Sequence, residues 1–208
     1  MIDADGVAVA TSGSTLLPPV SVVVGPGEAL VVRGGNGAGK TTLLRVLAGS
    51  RRPTSGVVRI DGDAVDPRDR GFRRRVASMI GLPPMAPDLT VADHVLLVAA
   101  TWVDESTAGS LAGSVLAELG LSALGRRFPH ELSSGQTQLF GLALVLARPF
   151  DVLIVDEPEQ RLDPEHLEVV GRALRARRDG GATLVVATHS RPLAEAIGDR
   201  FLQLDPAA

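Results

Sequence analysis

Residues 34–41 read Gly34-Gly35-Asn36-Gly37-Ala38-Gly39-Lys40-Thr41, a full match to G-x-x-x-x-G-K-[ST]. They follow the apolar run Ala29-Leu30-Val31-Val32 and precede Thr42-Leu43-Leu44-Arg45-Val46-Leu47-Ala48, which reads as a helix. Strand, glycine-rich turn and helix, in that order, is the context the motif requires. Glycines let the backbone turn its N–H groups inward around an anion, and the next helix points its positive dipole end at the same place. Phosphate contacts are therefore expected from Gly34, Gly35, Asn36, Gly37, Ala38, Gly39, Lys40, Thr41 and Thr42. Lys40 would reach the β- and γ-phosphates of a nucleoside triphosphate, and the Thr41 hydroxyl would sit on Mg²⁺.

Composition supports the same reading. Of the 21 basic residues of the Lys/Arg type, Lys40 is the one lysine. A bias that favours arginine everywhere else stops at this position, where a planar guanidinium cannot copy a compact ammonium on a flexible stem. A formal net charge of −3 over 208 residues argues against a general nucleic-acid binder. The absence of cysteine excludes disulfides and thiolate metal sites. The start, Met1-Ile2-Asp3-Ala4-Asp5, lacks the basic region of a secretory signal. The apolar run Val95 to Val103 is about half of the roughly 20 residues needed to span a bilayer. The expectation is a chain soluble by itself, with any membrane role exercised through a partner.

Outward from the loop, Val7 to Ala10 and Val20 to Val24 read as short strands separated by Ser/Gly/Pro punctuation. Val57 to Ile60 is another strand, and residues 63–75 are charged and arginine-rich. Arg73-Arg74-Arg75 fits a solvated face better than a phosphate or membrane surface. Strand character returns from Val76 to Gly81, then Pro83, Pro84 and Pro87 break regular structure. Thr90 is placed as a helix N-cap with Asp93 three positions on. From there to about Leu146 the spacing is helical. Val152-Leu153-Ile154-Val155 reads as a buried parallel strand, Leu167 to Arg178 as an amphipathic helix, and Thr183 to Ala187 as a strand.

Two further stretches carry chemistry. The apolar strand at 152–155 ends in Asp156-Glu157. In a chain with a phosphate loop, such an aspartate supports the Mg²⁺ shell, and the adjacent glutamate could orient or deprotonate an attacking water. Leu132-Ser133-Ser134-Gly135-Gln136 lies before the apolar helix Leu139 to Ala147. A serine N-cap accounts for it, and the same hydroxyl, amides and dipole favour a bound anion.

That segment resembles the LSGGQ signature of the ATP-binding cassette (ABC) ATPases, with Ser134 in place of the first glycine. The loop at 34–42 is similar to that family's GPNGAGKST, with Gly35 where proline is usual. Asp156-Glu157-Pro158 resembles its Walker B motif, Leu162-Asp163 the end of its D-loop, and His189 its switch histidine. The resemblance covers essentially the whole chain. It implies an α/β fold with a P-loop NTPase core and mostly parallel sheet, an N-terminal antiparallel β subdomain and an inserted α-helical subdomain. The core would be about 1–82 and 149–208, and the helical part about 83–148, within a single ABC ATPase domain. It also implies an ATPase in which two cassettes pair head to tail, homo- or heterodimeric. Ser133, Ser134, Gly135 and Gln136 of one copy would then close on ATP held by the other copy's Lys40. Glu157 would be the general base, His189 would hold the γ-phosphate and water, and Thr41 and Asp156 would serve Mg²⁺. The implied partner is a separately encoded membrane permease at the inner face of the cell membrane, with no nucleic acid expected.

Three positions depart from the family pattern. No tyrosine is present and no aromatic residue precedes Phe72, so Val7, Val9 or Leu16 is left as an apolar platform for the base. After the strand at 76–80, Gly81-Leu82-Pro83-Pro84-Met85 lacks the expected glutamine, leaving Leu82 and Met85 as apolar contacts for a partner. Glu159-Gln160-Arg161 replaces small residues in the D-loop, which puts Arg161 near the expected dimer interface. The rival readings are a soluble cassette ATPase acting on ribosomes or nucleic acid, and a weakly hydrolysing partner in a heterodimer. The first is disfavoured by the 92-position spacing between Lys40 and Leu132, which holds no sustained heptads. The complete Asp156-Glu157 pair disfavours the second.

Overall fold

A computed structural model of the chain describes residues 1–205. Along the chain the strands are β1 (Ile2–Thr11), β2 (Ser14–Val24), β3 (Ala29–Gly34), β4 (Ser55–Ile60), β5 (Asp63–Ala64), β6 (Val76–Met79), β7 (Val152–Asp156), β8 (Thr183–Ala187) and β9 (Arg200–Leu204). The helices are α1 (Lys40–Leu47), α2 (Arg70–Arg75), α3 (Val91–Ala100), α4 (Glu105–Glu118), α5 (Ser134–Leu146), α6 (Pro164–Asp179) and α7 (Arg191–Ile197). The chain divides into two compact units.

The first unit comprises Met1–Ile80, Phe150–Glu157 and the chain from Arg175 on. It holds two sheets. One is antiparallel, in the order β2-β1-β4-β5, and the other is parallel, in the order β6-β7-β8-β3-β9. The strands expected at 7–10 and 20–24 are longer than their apolar cores. The hairpin closes at residues 12 and 13, and Pro18-Pro19 lies inside β2. Prolines are tolerated there because β2 is an edge strand, and the register shifts around Val7, Val9 and Ala10 absorb their missing donors.

In the parallel sheet, β3 and β7 carry four consecutive buried residues each, as strands covered on both faces must. β3 runs between β8 and β9 and delivers the chain to the glycine loop. β7 runs between β6 and β8, with Asp156 at its end. Leu43, Leu44 and Leu47 of α1 are fully buried in a core shared with Ile2, Leu17, Ile60, Ile154 and Val185. Each such side chain contributes about 1.5–3 kcal/mol by leaving water. The helix that follows the loop is thus held by its own apolar face. Of the arginine run, Arg73 donates to the carbonyls of Pro67 and Arg68, and Arg75 pairs with Asp63 at 2.9 Å. These two side chains are engaged in local structure.

The second unit comprises Gly81–Pro149 and Pro158–Leu174. It is helical, and its helices start on side-chain caps. Thr90 and Asp93 form a reciprocal capping box on α3, Asp104 accepts from Thr107 N–H on α4, and Ser133 and Gln136 cap α5. The first two amides of α3 are bound by the carbonyls of Arg127 and Gly125. α5 is buried without interruption from Gln138 to Leu146. No helix among the described residues is long and apolar enough to cross a membrane. The α/β architecture with a parallel sheet, an antiparallel sheet and a helical insertion is the one expected.

Candidate functional site

Residues 35–39 leave β3 as a turn, and α1 begins at Lys40. The N-cap of α1 is Gly39, in the left-handed region at φ 95°, and it offers no side chain to the first-turn amides. Those donors at the positive end of the helix form the cradle expected for an anion. Two glycines are required by contact. A Cβ on Gly39 would lie 2.7 Å from the Leu16 carbonyl oxygen, and one on Gly34 would lie 2.6 Å from that of Leu204. Nothing lies within 4 Å of the corresponding point on Gly35. Lys40 is buried, and its Nζ donates to the carbonyls of Gly34 at 2.8 Å and Gly35 at 3.2 Å.

Thr41 sits one residue into α1, and its hydroxyl donates to Asp156 Oδ2 at 2.6 Å. The other carboxylate oxygen, Oδ1, is buried and has no hydrogen-bond partner among the described residues. Burial pushes the Asp156 carboxyl above its ordinary range. The Thr41 hydroxyl pulls it back, the Glu157 charge raises it further, and the Lys40 and Arg45 charges oppose that. A carboxylate with one oxygen orphaned in a partly buried place, next to a hydroxyl, suits a hard divalent cation. No group of three or more His, Cys, Asp or Glu side chains is arranged to hold a metal among the described residues, so a bound Mg²⁺ would draw its remaining oxygens from phosphate and water.

Glu157 follows at once and takes a left-handed φ of 48°. Its amide donates to the Ala187 carbonyl at 2.8 Å, which ties the turn to the end of β8. His189 lies two residues beyond that strand. Its Nε2 stands 3.1 Å from Glu157 Oε1, with the histidine side chain about half exposed and the glutamate less so. The Thr188 hydroxyl accepts from Ser190 N–H, and the Ser190 hydroxyl caps α7. The glycine loop, Thr41, Asp156, Glu157 and His189 therefore all belong to the first unit.

The remaining expected site residues belong to the second unit. α5 already begins at Ser134, earlier than the apolar pattern from Leu139 indicates, so Ser134, Gly135 and Gln136 form its first turn. Ser133 is the N-cap. Its N–H donates to Gln136 Oε1 at 2.9 Å, and its hydroxyl accepts from Gln136 N–H at 3.3 Å. A Cβ on Gly135 would stand 2.9 Å from the carbonyl oxygen of Arg161, itself left-handed at φ 63°. Asp163 accepts from His166 N–H at 2.8 Å and faces the His166 ring, and these contacts hold its carboxyl below the ordinary range.

One expectation is corrected. Val7 and Val9 are fully buried in the core of the first unit, so neither can serve as a platform for a base. Leu16 is partly exposed, and its carbonyl abuts Gly39. Three contributors have no signal in the motifs. They are the Leu204 carbonyl behind Gly34, the Ala187 carbonyl beneath Glu157, and His166 beside Asp163.

Similarity to known proteins extends along the chain. The family model described as ABC transporter matches residues 17–160. A cytochrome c biogenesis ATP-binding export protein from Xanthomonas oryzae pv. oryzae is 34% identical over 100% of this chain and 95% of its own length. A methionine import ATP-binding protein from Rhodococcus jostii is 37% identical over 91% of this chain, which spans 58% of that protein. Among solved structures, an ATP-binding subunit of an ABC transporter superposes with a TM-score of 0.86 at 26% identity, covering 100% of this chain and 88% of that one. A dimeric ATP-binding cassette in a post-hydrolysis state shares the fold at a TM-score of 0.88 and 23% identity, covering 100% and 97%. On the family match and on relatives that align along its full length, the chain belongs to the ABC transporter family.

Proposed function

We propose that this chain is the nucleotide-binding subunit of an ABC transporter. It binds and hydrolyses ATP where two cassettes meet head to tail, and it drives transport through a separately encoded permease from the inner face of the membrane. The observation that carries the reading is the assembly of Lys40, the Thr41–Asp156 pair and the Glu157–His189 pair within one unit.

Each group has a task that its surroundings support. The loop amides and the first turn of α1 bind the phosphates, and Lys40 exchanges its two carbonyl partners for β- and γ-phosphate oxygens. Thr41 and Asp156 would hold Mg²⁺, which would supply neutralisation of phosphate charge. Glu157 takes the proton of the attacking water. His189, within reach of the same carboxylate, orients that water and the γ-phosphate. From the second cassette, Ser133 to Gln136 close on the γ-phosphate. The Ser133 hydroxyl already accepts from Gln136 N–H, which leaves its proton to donate. Asp163 shapes the adjoining turn through His166. The γ-phosphate binds better to the closed pair than to the open one, so ATP favours closure and its loss reverses it.

Replacing Glu157 with Gln tests the assignment. Phosphate release is expected to fall by a factor of 10² or more, the range for removing a general base. ATP binding is expected to be retained, with an ATP-dependent dimer on sedimentation. Turnover equal to the parent would remove Glu157 as the base.

A further inference from the structure

Between Gly81 and Leu89 the chain has neither helix nor strand, and Pro83, Pro84 and Pro87 remove three of its backbone donors. Such a stretch cannot fix its own shape by a backbone ladder. It is nonetheless placed with Leu82 exposed and with Met85 and Ala86 partly buried. The tie comes from a side chain one turn into the next helix. His94 of α3 is buried, at 6% exposure, and its ring packs edge-on against Phe140 of α5 with centroids 5.3 Å apart. Its Nε2 receives the N–H of Ala86 at 2.9 Å, and its Nδ1 lies 2.8 Å from the carbonyl oxygen of Thr90.

The two partners settle the state of the ring. A backbone amide can only donate and a carbonyl can only accept, so Nε2 must carry a lone pair and Nδ1 must carry the proton. The imidazole bridges Ala86 to Thr90 only when neutral, and only as that tautomer. A proton on Nε2 would set one N–H against another and leave the Ala86 amide without its acceptor. The groups around the ring are few in kind. Asp93, on the same helix, is a carboxylate bound to the Thr90 hydroxyl and N–H; α5 supplies Phe140, and the 81–89 stretch supplies the Ala86 amide.

We infer that His94 is a positioning residue: as a neutral Nδ1–H imidazole it clasps the proline-rich stretch 81–89 through the Ala86 amide. It thereby sets the shape in which Leu82 and Met85 are presented. The clasp stands on geometry within one unit, and only its consequence for permease docking rests on the function proposed above.

The test uses the full chain, labelled with ¹⁵N, and three proteins. His94→Phe keeps the packing on Phe140 and removes both ring nitrogens. His94→Gln places an amide oxygen near the position of Nε2 and can receive the Ala86 N–H. Long-range ¹H–¹⁵N spectra at neutral pH are expected to show the Nδ1–H tautomer of His94 in the parent. Exchange of the Ala86 amide with solvent is expected to speed up at least tenfold in His94→Phe and to return within threefold of the parent in His94→Gln. The Nε2–H tautomer, a charged ring at neutral pH, or Ala86 exchange unchanged in His94→Phe would each overturn the clasp. Basal ATP turnover is expected within twofold of the parent in both variants. Its absence in all three proteins would count against the ATPase reading and leave the clasp intact.

Discussion

Thr41 and Asp156 lie 115 positions apart in the chain, yet the threonine hydroxyl donates to one carboxylate oxygen at 2.6 Å while the other stays unpartnered among the described residues. A half-satisfied, partly buried carboxylate is a poor arrangement for stability and a good one for a cation. The pKa of Asp156 is raised chiefly by burial. The folded state therefore holds that proton more tightly than the unfolded chain. Its stabilising effect is full below the ordinary value of 3.8 and is lost as pH rises through the raised value, so at pH 7 the charge weighs against folding.

Asp156→Asn should separate the two effects. The amide keeps the shape and removes the buried charge, so the nucleotide-free protein is expected to melt no lower than the parent at pH 7. Mg²⁺-dependent ATP turnover is expected to fall by about 10² or more, the scale for losing a charge-stabilising group at a phosphoryl-transfer site. Calorimetry and phosphate release report on the two separately. A clear drop in melting temperature, or retained turnover, would contradict the account.

Gly39 fills a fixed position of the motif and Gly35 a variable one, and the structure separates the two glycines by contact. A methyl at Gly39 must enter a left-handed backbone and meet the Leu16 carbonyl at 2.7 Å, whereas one at Gly35 meets nothing within 4 Å. Gly39→Ala is expected to cost about 2 kcal/mol or more in denaturant unfolding and to abolish ATP binding. Gly35→Ala is expected to stay within about 0.5 kcal/mol of the parent and to bind ATP within threefold. Equal effects at the two positions would show that the glycines answer to the ligand and not to the chain.

Much of this was legible in the sequence because the loop, the acidic strand end and the signature are local patterns with local physics. Runs such as Val152 to Val155 announce buried parallel strands, and Thr90 with Asp93 announces a helix start. The less legible parts depend on distant partners. β9 (Arg200–Leu204) and α7 (Arg191–Ile197) were not anticipated. β9 is a five-residue edge strand with Phe201 exposed, and α7 is under two turns long, so neither carries much periodicity. The alternation in β1 gave Val7 and Val9 no marked face, and register shifts on either side of them send both into the core. The motifs assign Thr41 and Asp156 to one Mg²⁺, while their direct hydrogen bond is visible only in the structure. The same holds for the left-handed turns at Glu157 and Arg161, both non-glycine.

The loss of Val7 and Val9 as platforms leaves Leu16 beside the loop, and no aromatic residue precedes Phe72. An aliphatic contact has no preference for one purine over another. ATP and GTP are therefore expected to bind within about tenfold of each other, or roughly 1.4 kcal/mol. Competition against a fluorescent nucleotide measures the ratio directly. A preference for ATP above a hundredfold would require a base contact that Leu16 does not provide.

Gly135 faces the carbonyl of Arg161, a residue already held left-handed at a cost of about 1–2 kcal/mol. Gly135→Ala would force that carbonyl back from 2.9 Å and displace the turn that leads to Asp163. The proposed ATP cradle lies in the other unit, so ATP binding by the isolated chain is expected within twofold of the parent. ATP-dependent dimerisation, measured by sedimentation in the Glu157→Gln background, is expected to weaken about tenfold, or 1.4 kcal/mol. Arg161→Gly, which enters the left-handed region without strain and lets the turn yield, is expected to restore part of that loss. A Gly135→Ala protein that dimerises like its parent would show the close approach to be incidental. A double variant no better than Gly135→Ala alone would place the damage at the proposed γ-phosphate contact instead of at the turn.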